Sequence, residues 1–205
     1  MTVEHVELLV EEPSMEAALR ALLPKIIGTL SFEIHPYQGK HDLLGSLHAR
    51  LLAYKAWIPA TWRIVVVMDR DDDDCDKLKA RLDQMAAAAG LVTRSKARGK
   101  PYAVVTRLAI EELEAWYFGD WDAVREAYPR VPATIPAQAK YREPDAIAGG
   151  TWEAFERVLQ KAGYFKLGLA KIEAARTIAA NMAPGRNRSR SFQVLREALT
   201  EMAAS

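Results

Sequence analysis

The chain has 205 residues, of which 50% are hydrophobic and 27% charged, and a formal net charge of +1. That balance excludes a disordered polyelectrolyte, and any contact with nucleic acid has to come from a local patch or a partner. There is no apolar run long enough for a bilayer and no signal peptide, and the single cysteine, Cys75, cannot close an internal disulfide, so a cytoplasmic, non-membrane protein is expected.

Val3 to Val10 begins with alternation and ends apolar, which predicts a first strand. It stops at Glu11-Glu12-Pro13-Ser14, and proline suits the first turn of a helix carried on by Ala17, Leu19, Leu22 and Leu23 up to Pro24. Thr29 to Tyr37 supplies a second strand. The turn Gln38-Gly39-Lys40 then leads into a helix from about His41 to Trp57. Arg63 to Met68 is a β-branched run that reads as a strand buried on both faces, and it drives straight into Asp69-Arg70-Asp71-Asp72-Asp73-Asp74. A helix from Cys75 to Ala89 follows, closed by Gly90. After the basic segment Leu91 to Lys100, Tyr102 to Leu108 forms a fourth strand. This alternation predicts an α/β fold, a mostly parallel sheet flanked by helices on both faces.

Beyond the fourth strand the period becomes helical: Ile110 to Phe118, Asp120 to Tyr128, Thr151 to Ala162, Leu167 to Met182 and Ser191 to Met202. A proline-rich bridge spans Pro129 to Gly150. Residues 1–118 therefore read as the α/β domain, and 119–205 as a helical extension packed on it.

Strand ends direct the search for chemistry. In a parallel sheet the carboxyl ends of all strands open on one edge, where such folds place their ligands. Glu11 and Glu12 close the first strand and Asp69 and Asp71 the third, so neighbouring strands would bring these acids together. Two residues apart on extended backbone, Asp69 and Asp71 would point to one side and share a divalent cation. All-oxygen donors suit magnesium or manganese better than zinc, and neither the histidines nor Cys75 shows zinc-type spacing. Asp73 and Asp74 read as acids opening the next helix. Lys40 could meet a phosphate or simply be solvated. Two basic groups, Arg94, Lys96, Arg98 and Lys100 in one loop and Arg186, Arg188 and Arg190 near a helix start, are candidates for nucleic-acid contact. The Ser189-Arg190-Ser191-Phe192 pattern also fits a helix cap with Phe192 packed inward.

Leu9-Val10-Glu11-Glu12-Pro13-Ser14, Gln38-Gly39-Lys40-His41-Asp42, Val67-Met68-Asp69-Arg70-Asp71, Glu112-Leu113-Glu114-Ala115-Trp116 and Asn187-Arg188-Ser189-Arg190-Ser191-Phe192 together resemble the TOPRIM fold. The chain looks most like a family of small stand-alone TOPRIM-like proteins related to OLD-type nucleases and often encoded beside ATPases of the AAA or SMC type. The resemblance implies a magnesium- or manganese-dependent nuclease acting on DNA or RNA, with a partner ATPase, in defence or repair. It makes Glu11 the fold's glutamate and Asp69 and Asp71 its metal pair, and it sets Glu112 and Glu114 beside the extra acids that some OLD-type nucleases use for a second metal. Glu12 stands where that motif usually has glycine, which narrows the approach of a phosphate backbone.

Two other readings fit the same residues. One is a non-catalytic partner or regulator of an ATPase that retains the acids for binding. The other is a receiver-like phosphoacceptor, with Asp69 as acceptor and Thr106 as the hydroxyl after the fourth strand, although a fifth strand with its lysine is missing.

Overall fold

The computed structural model describes residues 2–205. Four strands, β1 (His5–Val10), β2 (Ser31–Pro36), β3 (Trp62–Asp69) and β4 (Val104–Ala109), form one sheet in the order β2-β1-β3-β4. Every pair is parallel. The α/β architecture expected from the alternation is therefore present, and β1 and β3 are direct neighbours.

The period of two in β3 divides the core. Val65 and Val67 face one hydrophobic layer, while Ile64, Val66 and Met68 face the other, and all five are fully buried. The second layer is covered by α2 (Lys40–Trp57) and α3 (Cys75–Ala88) through Leu43, Leu47, Leu51, Leu78 and Leu82. The first is covered by α1 (Pro13–Ile27) and by the helices after β4. These are α4 (Glu114–Gly119), α5 (Trp121–Ala127), α6 (Thr151–Lys161), α7 (Lys171–Asn181) and α8 (Arg190–Ala203). α7 lies along α1, and α8 packs on α1 and β4. The late helices thus complete the sheet's own core. No helix among the described residues is long and apolar enough to cross a membrane.

Several boundaries move. The first helix runs through Pro24 to Ile27, because the buried Leu22, Leu23 and Ile27 hold the last turn against the core despite the missing N–H. α7 begins at Lys171 instead of Leu167, whose side chain is fully exposed. The 129–150 bridge contains three single 3₁₀ turns, Ile135–Ala137, Ala139–Tyr141 and Pro144–Ala146.

At the start of α8, Ser189 caps the helix by accepting from the Phe192 N–H at 3.2 Å, and Phe192 is fully buried against Trp116. Asp145 from the bridge accepts from the hydroxyls of Ser189 and Ser191 at 2.8 and 2.7 Å, which fixes the bridge to this cap. Buried Glu7 is satisfied by His5, His35 and the Tyr54 hydroxyl, so these histidines serve β1 and its neighbours.

Candidate metal site

The carboxyl ends of β1 and β3 bring Glu11 and Asp69 together. The Asp69 N–H donates to Glu11 Oε2 at 3.0 Å, while the Glu11 N–H donates to the Val67 carbonyl at 3.2 Å. Both side chains are buried. Burial raises the Glu11 carboxyl from its ordinary 4.5 to about 7; the Asp69 N–H and Lys40 pull it down, and Asp71 and Glu12 add to the rise. Burial likewise raises the Asp69 carboxyl well above its usual range, helped by Glu11, Glu114, Glu12 and Asp71. Asp69 Oδ1 is buried and has no hydrogen-bond partner among the described residues. Native proteins seldom leave a carboxylate oxygen so placed without a donor or a cation.

Asp71 is not arranged as the two-residue spacing suggested. β3 ends at Asp69, and Asp71 has φ +50°, so the alternation that would set it beside Asp69 is already broken. Its N–H donates to the Glu111 carbonyl at 2.8 Å, and Glu111 is also left-handed, at φ +59°. Arg70 and Glu111 form an ion pair alongside. Two left-handed non-glycine residues, one from each strand-to-helix connection, therefore brace each other at the sheet edge. The Asp71 carboxylate turns to Lys40.

Lys40 is neither free nor simply solvated. Its Nζ also donates to the Arg70 carbonyl at 3.0 Å and to Asp73 Oδ2 at 2.9 Å, so it clamps the acidic turn from the first residue of α2. Those acids keep its ammonium protonated by raising its pKa against the opposing effect of burial. Asp74 caps α3 by accepting from the Lys77 N–H at 2.9 Å.

Glu112 and Glu114 separate. The helix expected from Ile110 begins only at Glu114, and Glu112 caps a different helix: its Oε2 accepts from Thr151 Oγ1 at 3.0 Å and from the Trp152 N–H at 2.6 Å at the start of α6. Glu114 is 2% exposed; burial raises its carboxyl to about 8, offset in part by Lys171 and reinforced by Glu112 and Glu12. Lys171, at the start of α7, faces Glu114, Glu12, Glu112 and Asp69, and its ammonium lies 5.2 Å from the centre of the Trp152 ring. Nothing near Lys171 in sequence marks it; only the docking of α7 on α1 brings it there. Tyr117, also buried beside Glu114, has a hydroxyl with no partner among the described residues.

Outside this cluster a cleft of about 520 Å³ opens between the acidic turn and the bridge, lined by Arg70 and the acids Asp71, Asp72, Glu111, Glu112 and Glu153 together with Ala146 to Gly150. Among the described residues, no three histidine, cysteine, aspartate or glutamate side chains stand close enough to hold a metal ion as they are arranged. The donor chemistry and the orphaned Asp69 oxygen fit a hard cation, but Asp71 would have to exchange Lys40 for it.

The basic segments lie elsewhere. Arg94, Lys96, Arg98 and Lys100 sit in the connection entering β4, at the amino edge of the sheet and opposite the acids. Arg94 pairs there with Glu201. In a parallel sheet only strand-to-helix connections reach the carboxyl edge, so this loop cannot converge with Glu11 and Asp69. Arg186 is paired with Asp120 at 2.7 Å and Arg190 with Glu197 at 3.2 Å, while Arg188 is exposed and has no acidic partner among the described residues. Thr106 lies within β4, where it donates to the buried Asp83 at 2.9 Å, so it is not placed to serve a phosphoacceptor at Asp69.

A family model described as a domain of unknown function, DUF4276, matches residues 10–200. The chain belongs to the DUF4276 family. The match begins at the last residue of β1 and runs into α8, so it takes in Glu11, Asp69 and the late helices in one unit. Among solved structures, this DUF4276 chain is similar to the C-terminal region of the Xanthomonas campestris pv. campestris OLD protein, at 15% identity and a TM-score of 0.44, over 97% of this chain and 95% of that one. No curated protein matches it.

Proposed function

We propose that this protein is a TOPRIM-type nuclease that hydrolyses phosphodiester bonds of DNA or RNA with magnesium or manganese. The observation that carries the reading is Asp69: a buried carboxylate with an orphaned oxygen, hydrogen-bonded through its own N–H to Glu11 at the carboxyl edge of a parallel sheet. Such a pair is self-repelling when ionised, and a hard cation relieves it.

Glu11 and Asp69 would hold the ion, with Asp71 joining once it leaves Lys40. A divalent ion there supplies a lowered pKa for an attacking water and charge stabilisation for the leaving oxygen. The hydrogen bond from Asp69 N orients Glu11, and ionisation of Glu11 near pH 7 makes its carboxylate available. Lys40, held at the acidic turn by Asp73 and the Arg70 carbonyl, would then present its ammonium to a phosphate. Lys171 limits the negative charge at Glu114 and Glu12. The setting that suits these roles is the cytoplasm, beside a partner ATPase of the AAA or SMC type, in defence or repair.

Purified protein with labelled single- and double-stranded DNA and RNA is expected to cleave at least one substrate in magnesium or manganese and none in EDTA. Absence of cleavage in both metals, with and without the partner ATPase, would overturn the reading.

Two observations favour a second reading, the non-catalytic regulator. Lys40 already neutralises Asp71, and Glu12 accepts from the Ser14 hydroxyl where a small turn residue would leave the edge open. ATPase binding unchanged by Asp69→Ala with Asp71→Ala, together with no cleavage, would establish that alternative.

A further inference from the structure

Ala146, Ile147 and Ala148 of the acidic cleft also line a second depression of about 260 Å³, whose far side carries Lys140, Tyr141 and Arg157. Lys140 and Tyr141 in turn line a third of about 270 Å³, bounded by Arg130 and Lys161. Shared lining residues set the three in series, adjoining depressions that outline a groove from Asp71 and Asp72 past the bridge to the end of α6.

Four cations follow one another along it, and all four are exposed. Among the described residues none of the four is ion-paired with a carboxylate. Rings and carbonyls steady two of them instead. Arg130 lies 4.1 Å from the centre of the Tyr164 ring and donates to the Gly163 carbonyl at 3.1 Å, and Lys140 lies 4.5 Å from the centre of the Tyr141 ring. Glu143 is the single acid lining the second depression, and the third has none.

A row of unneutralised cations ending at a carboxylate cluster matches a ligand of repeating negative charge that can enter the acidic end only with a metal ion between. We infer that this groove is the track of a single nucleic-acid strand. Its phosphodiester backbone runs over Arg130 and Lys161, then Lys140 and Arg157, and delivers one phosphate to the cleft. The inference rests on the nuclease reading of Glu11 and Asp69, which the cleft adjoins through Asp71, and it moves the substrate contacts from the amino-edge loop to the helical extension. Its lining offers cations and aromatic rings without a base-reading array, the combination that suits a single strand bound with little dependence on sequence.

The test is fluorescence anisotropy of a labelled 20-nucleotide single strand, as DNA and as RNA, in EDTA at low salt. The triple variant Lys140→Glu, Arg157→Glu, Lys161→Glu is expected to bind at least tenfold more weakly. The neutral triple variant with glutamine at the same positions should lower the salt slope by about 2, at about 0.7 for each phosphate no longer neutralised. Reversing Lys96, Arg98 and Lys100 together changes the net charge equally at the opposite edge and is expected to alter binding less than twofold. Equal losses in the two charge-reversed proteins, an unchanged groove variant, or no binding by the wild type would each overturn the track. Parallel cleavage assays in magnesium keep the two ideas apart: groove-dependent binding without cleavage sinks only the nuclease, whereas cleavage indifferent to the groove variant sinks only the track.

Discussion

Asp69→Asn is expected to abolish metal-dependent cleavage and, in EDTA at pH 8, to make the protein more stable than the wild type. The two effects share one cause. Asp69 holds a carboxylate where burial and the acids Glu11 and Glu114 oppose its charge and where Oδ1 has no partner. Asparagine keeps the shape, removes the charge and offers an N–H₂ to that surrounding of acceptors. Relief of an unsatisfied buried acceptor is worth roughly 1–3 kcal/mol. Loss of a metal ligand forfeits several kcal/mol of transition-state stabilisation. At about 1.4 kcal/mol per tenfold, that is on the order of 10³ in rate. Denaturant melts and initial cleavage rates on the same preparations measure both. An Asp69→Asn variant that is less stable than the wild type and cleaves normally would refute the assignment.

The second large effect is on pH. Glu11 and Glu114 have folded-state values raised from 4.5 to about 7 and about 8, so between pH 4.5 and 8 the folded protein binds protons that the unfolded chain has released. Stability therefore falls as pH rises through that window, and what these groups contribute is fully present only below about 4.5. For Glu11 alone the rise to about 7 corresponds to about 3 kcal/mol, at about 1.4 kcal/mol per unit. A divalent cation favours the ionised forms, so magnesium should raise the melting temperature clearly at pH 8 and little at pH 5. Glu11→Gln should flatten the metal-free slope. A melting temperature in EDTA that climbs steadily from pH 5 to 8, or a magnesium effect equal at both, would contradict the electrostatic picture.

Much of this site is legible in the residues alone. An unbroken Ile64–Met68 run buried on both faces can only be an interior strand, and a charge directly after it must lie at the sheet's ligand-binding edge. The neighbouring position of β1 follows from the same alternation. Asp71 is misplaced by the spacing because a period-two argument holds only while the backbone stays extended, and its φ of +50° depends on a hydrogen bond to Glu111 from another connection. The capping contacts of Glu112 are hidden for a similar reason: its partners, Thr151 and the Trp152 N–H, lie some 40 residues on. The basic loop before β4 is instructive in another way. Its composition suggests phosphate contact, while its place before a parallel strand already puts it on the wrong edge. Lys171 and the groove cations give no local signal, since only the docking of the late helices brings them to the acids.

The most direct test of the central claim is a manganese soak of crystals at pH 8, read by anomalous scattering. A peak bridging the Glu11 and Asp69 carboxylates, with Asp71 turned away from Lys40 toward it, is the predicted result. No peak there at saturating manganese, with the Lys40–Asp71 pair intact and Asp69 Oδ1 still without a partner, would contradict it.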